Sequence, residues 1–249
     1  MPGPRAMIPS GSIADVPFAT AEEWMSTAFQ AFGSTGRRRF DLSVYLVTDT
    51  RLSGPRGVAA VAEAAVRGGV TLVQLRDPDA TTRALIDTAL QLQAVLAPLG
   101  IPLIVNDRVD VALAVGADGV HLGDRDMPAE TARRLLGPEL IIGVTVHDAA
   151  EARAVDAAIA DYAGIGPVFT TSTKAEARPA IGVDGFRTLR GLVPLPVVGI
   201  GGIDAALSAA VVAAGADGVA VVSAICAAAD PEAAARAIRG AVTNGRGTA

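Results

Sequence analysis

From residue 43 onward the chain repeats one unit eight times: a short apolar run, then an Ala/Leu/Arg-rich stretch of helical character. The runs are "SVYLVTD", "VTLVQLR", "IPLIVND", "GVHLG", "LIIGVTVH", "DYAGIGPVF", "LPVVGIGG" and "GVAVVSAI". They are continuous rather than alternating, so the strands they predict are buried on both faces, as in a parallel sheet covered by helices. Eight such units predict an α/β fold, a closed (β/α)8 TIM barrel over residues 41–249. An internal echo agrees with closure: "VGADGVHLG" at 115–123 returns as "AGADGVAVV" at 214–222, four units later. An open doubly wound sheet would want Gly-x-Gly-x-x-Gly opening an early helix, whereas the glycine cluster "GIGGI" follows the seventh run.

Residues 1–40 differ from the rest. They begin Pro/Gly/Ser-rich and end in a basic joint, "GSTGRRRF", which predicts an N-terminal extension that is partly disordered. One amphipathic helix is expected within it: Thr20 as N-cap, Glu23 three residues later, then Trp24, Ala28 and Ala31 at helical spacing.

Composition narrows the classes of function. A net charge of −5 without a basic block argues against a nucleic-acid partner. No apolar run approaches the length of a membrane span, and the N-terminus lacks a basic region followed by a long apolar one, so a cytoplasmic protein without a membrane partner is expected. Cys226 is the single cysteine, which excludes an intrachain disulfide and a cysteine-based metal cage and reads as a small core residue. Oligomeric state is open, a homo-oligomer included.

Barrels of this kind carry their site at the C-terminal strand ends, and the polar residues gather there. Gln74 and Arg76 end the second run, Asn106 and Asp107 the third, and Asp126 follows the fourth. Thr145 and His147 end the fifth, the "TTSTK" loop follows the sixth, Gly201 and Gly202 end the seventh and Ser223 the eighth. Neighbouring strands lie about 4.8 Å apart, so Asp107 and Asp126 are placed to flank one cation. Two carboxylates suit magnesium, whose remaining ligands are usually water and substrate phosphate. Each carboxylate has a competing explanation as the N-cap of the helix that follows it, near Arg108 and near Pro128.

The glycines after the seventh run, with a helix starting after the eighth, predict a phosphate cradle. Lys174 is the chain's only lysine. It is suited to neutralise a pyrophosphate or, if desolvated, to form a Schiff base. His147 reads either as a proton carrier or as a hydrogen-bonded strand-end residue, and His121 as a satisfied wall histidine.

In order and spacing, "YLVTD" (45–49), "VQLRD" (73–77), "NDRVDVALAVGADGVHLGDRDMP" (106–128), "IIGVTVH", "GPVFTTSTK" (166–174), "VVGIGGI" and "GADGVAVVSAI" make the chain similar to the thiamine phosphate synthase family over about residues 43–240. The resemblance implies a transferase of thiamine biosynthesis with small-molecule substrates. It joins hydroxymethylpyrimidine diphosphate to hydroxyethylthiazole phosphate by a dissociative, Mg2+-assisted release of diphosphate. It also implies that Asp107 and Asp126 bind the magnesium, that Gln74, Arg76, Asn106 and Lys174 hold the pyrimidine diphosphate, and that Thr145 stands near the reacting groups. Arg76, Thr145 and Lys174 are then the catalytic set. Thr171, Thr173 and groups at Gly202, Ser223 and Ile225 receive the thiazole phosphate.

One departure from the family pattern matters. A lysine usually stands two residues after the arginine of Gln-x-Arg, and here that position is Pro78. A cation about 4 Å from a unit negative charge contributes about 4 kcal/mol at an effective dielectric of about 20, before desolvation. Arg125 or Arg51 is the expected replacement. Three rival readings stay open: a thiazole tautomerase using His147, a Schiff-base aldolase using Lys174, and a non-catalytic phosphate-ligand-binding homologue. The aspartate pair argues against the tautomerase, which has no diphosphate to escort.

Overall fold

The computed structural model describes residues 38–171, 173 and 178–247. The helix expected over residues 20–31 lies outside the described residues. Eight parallel strands close in chain order into a barrel: β1 (Val44–Val47), β2 (Leu72–Leu75), β3 (Leu103–Asn106), β4 (Gly119–Leu122), β5 (Ile141–Val146), β6 (Tyr162–Ile165), β7 (Val197–Ile200) and β8 (Gly218–Val221). The helices around them are α1 (Thr50–Ser53), α2 (Val58–Arg67), α3 (Thr82–Leu96), α4 (Val109–Val115), α5 (Ala129–Leu136), α6 (Ala149–Ala154), α7 (Gly182–Arg190), α8 (Ala205–Ala213), α9 (Ser223–Cys226) and α10 (Pro231–Arg246). Contacts of α10 with both α8 and α2 close the helical ring. Among the described residues no helix is long and apolar enough to cross a membrane.

Continuous apolar runs give two cores, because alternate residues of each strand face opposite sides. Outward residues such as Val44, Val73, Val105 and Val197 meet the helices, while Tyr45, Leu72, Ile104, Ile141, Tyr162 and Val198 fill the barrel. Each fully buried aliphatic side chain contributes about 1.5–3 kcal/mol of apolar transfer. Residues 38–40, grouped with the extension in the sequence reading, touch the barrel: Arg38 pairs with Asp118, and the Phe40 ring lies 5.7 Å from that of Tyr162.

The sequence echo has a structural cause at the strand starts. Asp118 and Asp217, its two aspartates, occupy equivalent places just before β4 and β8. Asp118 Oδ2 accepts the N–H of Leu103, and Asp217 Oδ2 that of Val197, each at 2.8 Å. Asp161, before β6, does the same for Ile142 at 2.8 Å, and the Thr71 hydroxyl, before β2, for Val44 at 3.1 Å. The residue just before every even strand thus accepts an amide at the start of the odd strand before it.

Candidate active site

At the C-terminal strand ends a cavity of about 400 Å³ opens into the barrel. Gln74 and Arg76 reach it from β2, Asn106 from β3 and Thr145 from β5. Thr171, Thr173, Gly202 and Ser223 line its other side. Of the residues singled out in the sequence, Lys174 lies outside the described residues. Ile225 is fully buried among the helices and its N–H donates to Val222 O at 3.1 Å, so that amide is already engaged.

The two glycines after β7 are required by the backbone. Gly201 and Gly202 have φ of 98° and 64°, a region L side chains rarely adopt. A Cβ on Gly202 would meet Thr170 O at 2.5 Å. The β7 end and the β6 loop therefore lie against each other, joined by Phe169 N–H donating to Gly201 O at 3.0 Å. Thr171 and Thr173, which follow in the same loop, line the cavity together with Gly202.

Helix capping separates Asp107 and Asp126 from the other aspartates that precede helices. Asp49, Asp148, Asp204 and Asp230 each accept a first-turn N–H of the helix that follows. The N-cap positions of α4 and α5 are Arg108 and Pro128, neither of which caps through its side chain, so Asp107 and Asp126 do not stand at the N-caps. Asp107 has φ of 62°, the one non-glycine residue at positive φ among the described residues, a conformation costing an L-residue about 1–2 kcal/mol. Its N–H, donated to His121 O at 2.9 Å, ties it to the neighbouring strand. Asp126 Oδ2 accepts the Gly123 N–H at 2.7 Å, which orients the carboxylate.

Both aspartates are half-buried, and neither lines the cavity itself, although Asn106 and Arg125 beside them do. Among the described residues no three His, Cys, Asp or Glu side chains gather into a self-sufficient metal cage. Asp107, just after β3, and Asp126, in the loop after β4, are hard oxygen donors of the type magnesium takes alongside water and phosphate.

Among the described residues, three arginines line the cavity: Arg76, Arg125 and Arg178. Arg51 is exposed on α1 and does not line it, and Pro78 is exposed in a turn. Arg178, which sequence reading passed over, contacts Asp124 at 2.8 Å, Glu151 at 3.2 Å and Asp148 at 3.7 Å. Burial tends to raise the Asp124 carboxyl, but the ion pair with Arg178 outweighs it and holds the carboxyl below its ordinary value. His147 Nδ1 lies 3.0 Å from Glu151 Oε2, so this histidine belongs to the same rim cluster.

The cavity floor is polar in a way the sequence reading missed. The chain contains two tyrosines, and both are in the barrel: Tyr45 OH and Tyr162 OH are 2.7 Å apart. Gln74 Nε2 donates to Tyr45 OH at 2.7 Å. On the other side Tyr162 OH lies 2.9 Å from His121 Nδ1, and His121 Nε2 lies 2.9 Å from Thr145 Oγ1. Burial pushes both phenols well above their ordinary value of 10.0. The scarcity of tyrosine was the available signal.

The chain matches the family model described as thiamine monophosphate synthase over residues 44–225. It is similar to the thiamine-phosphate synthase of Xanthobacter autotrophicus, 58% identical over 83% of this chain and 98% of that protein. The corresponding protein of Azorhizobium caulinodans is 54% identical over the same shares. Among solved structures, a thiamine phosphate pyrophosphorylase from Pyrococcus furiosus has a TM-score of 0.75 at 39% identity, covering 82% of this chain and 96% of that one. A 3-hexulose-6-phosphate synthase, at 21% identity and a TM-score of 0.59, shares the fold.

Proposed function

Because the chain belongs to the thiamine monophosphate synthase family, we propose that its cavity joins hydroxymethylpyrimidine diphosphate to hydroxyethylthiazole phosphate, releasing diphosphate and forming thiamine phosphate. The observation that carries this reading is the convergence of Gln74, Arg76, Asn106 and Thr145 with Thr171, Thr173, Gly202 and Ser223 on one cavity. One group suits a polar heteroaromatic ring with a diphosphate, and the other, hydroxyls around a glycine turn, suits a monophosphate.

In this reaction the bond from the pyrimidine methylene to the diphosphate oxygen breaks, and its electron pair leaves on the diphosphate. The electron-rich aminopyrimidine carries the resulting positive charge. The thiazole nitrogen lone pair then forms the new carbon–nitrogen bond, which gives the thiazolium. No protein nucleophile takes part, so the work of the chain is positioning and charge. Arg76 and Arg125 supply positive charge at the diphosphate end, and Asn106 adds a neutral donor. Gln74 and Thr145 orient the ring, while Thr171, Thr173 and Ser223 hold the second phosphate beside it. Lys174, next in the chain to Thr173, adds a compact charge on the strength of the family resemblance.

Asp107 and Asp126 would hold magnesium, whose contribution when bound is to neutralise the departing diphosphate. Replacement of either carboxylate tests the assignment. Asp107→Asn and Asp126→Asn are each expected to lower kcat/KM at least about tenfold and to raise the magnesium concentration needed for half-maximal rate. Wild-type magnesium dependence in both variants would remove them from the metal site.

A further inference from the structure

Five side chains from five strands form one unbroken hydrogen-bonded chain through the barrel: Gln74 on β2, Tyr45 on β1, Tyr162 on β6, His121 on β4 and Thr145 on β5. Its two ends, Gln74 and Thr145, line the cavity. Space for it is built in by Gly143. Strand register sets His121, Gly143 and Tyr162 side by side across β4, β5 and β6. A Cβ on Gly143 would lie 2.1 Å from Tyr162 Cζ, so the missing side chain lets the Tyr162 and His121 rings approach to 5.5 Å.

Each phenol has a single proton, so the directions along this chain are not independent. With Gln74 Nε2 as the group facing the Tyr45 oxygen, an amide nitrogen that only donates, the Tyr45 hydroxyl accepts there and Tyr162 OH is the acceptor within reach of its proton. The Tyr162 proton then goes to His121 Nδ1, which must be the bare nitrogen, and the imidazole keeps its hydrogen on Nε2. That hydrogen is donated to Thr145 Oγ1. The Thr145 hydroxyl, accepting from His121, turns its own proton to a different acceptor.

We infer that Tyr45, Tyr162 and His121 are positioning residues that fix Thr145 as a hydrogen-bond donor to the substrate ring. The cavity thereby selects a heteroaromatic ring presenting an unprotonated nitrogen at that point. It rejects an oxo tautomer, whose ring N–H would face the hydroxyl proton. This deepens the proposed function and rests on it for the identity of the ring, but the proton arrangement is a property of the protein alone.

Nitrogen-15 NMR of the imidazoles tests the arrangement in the wild-type protein. With two histidines in the chain, His147→Gln assigns the spectrum. His121 is expected as the Nε2–H tautomer. An Nδ1–H tautomer or a doubly protonated ring overturns the inference. Kinetics of Tyr162→Phe give the second reading. The variant is expected to raise KM for the pyrimidine diphosphate about tenfold, with KM for the thiazole phosphate changed less than about twofold. Equal rises in both, or none, overturn the positioning role, and if the variant does not fold the NMR result decides. A protein with the expected tautomer but no coupling activity would sink the proposed reaction and leave the proton arrangement standing.

Discussion

Tyr45 on β1 and Tyr162 on β6 meet hydroxyl to hydroxyl at 2.7 Å, with rings 5.8 Å apart and nearly perpendicular. In a chain with 4% aromatic residues this pair is the centre of the polar network inside a barrel filled mainly by aliphatic side chains. Its position on the cavity floor links the stability of the fold to the geometry of Gln74 and Thr145.

Burial raises both phenols, so the native state keeps protons that the unfolded chain loses above its ordinary phenol value of 10.0. Their contribution is whole below that pH and is lost as pH rises toward the folded values. Unfolding free energy, measured by urea titration between pH 9 and 11, is expected to fall steeply above about pH 10. Tyr45→Phe should make that slope shallower by about 1.4 kcal/mol per pH unit, the value of one proton. An unchanged slope would mean that the phenols do not stay protonated in the fold.

Cys226 is buried in the helical layer with its sulfur 3.7 Å from Val47 O, and burial pushes its thiol up to about 11. The thiolate is the reactive form. A disulfide reagent at pH 8 is therefore expected to leave the native protein unmodified and to titrate one thiol after denaturation. Fast native-state labelling would contradict the burial.

Arg133 and Asp161 form a buried pair at the strand-start end of the barrel, 2.6 Å apart, and Arg133 also donates to the carbonyl oxygens of Ile159, Gly137 and Leu140. Removing one partner of such a pair leaves a buried charge uncompensated. Arg133→Met is expected to lower stability by about 3–5 kcal/mol with little change in KM for either substrate, because the pair lies at the end of the barrel remote from the cavity. Denaturant titration and steady-state kinetics on the same preparation separate the two effects.

Pro78 leaves a position without the positive charge usual in the family, and Arg125 lines the cavity whereas Arg51 does not. Arg125→Ala is expected to raise KM for the pyrimidine diphosphate by about tenfold or more, given about 4 kcal/mol for a close charge pair before desolvation. Arg51→Ala should leave it unchanged. The reverse order would assign the compensation to α1.

The eightfold alternation was legible in the sequence because strands buried on both faces need unbroken apolar runs. The echo of "GADG" marked closure because Asp118 and Asp217 perform the same strand-start clasp. The strand-end residues Gln74, Arg76, Asn106 and Thr145 could be read from position alone. The roles of the carboxylates could not. Asp49, Asp148, Asp107 and Asp126 all follow strands, and only the backbone at each site distinguishes a helix cap from an uncapping carboxylate. The Tyr162–His121 contact spans 41 residues and two strand positions and depends on the glycine between them. Arg178 was missed because its ion-pair partners come from two other strand-end segments. Ile225 was expected from its motif, but the turn that starts α9 takes up its amide.

The most direct measurement is product formation by the purified protein from hydroxymethylpyrimidine diphosphate and hydroxyethylthiazole phosphate, following diphosphate and thiamine phosphate together, with Mg2+ and then with excess EDTA. Equal amounts of both products are expected with magnesium and neither after chelation. Thiazole phosphate bound tightly with no diphosphate released under either condition would contradict it, leaving a phosphate-binding barrel without the coupling chemistry.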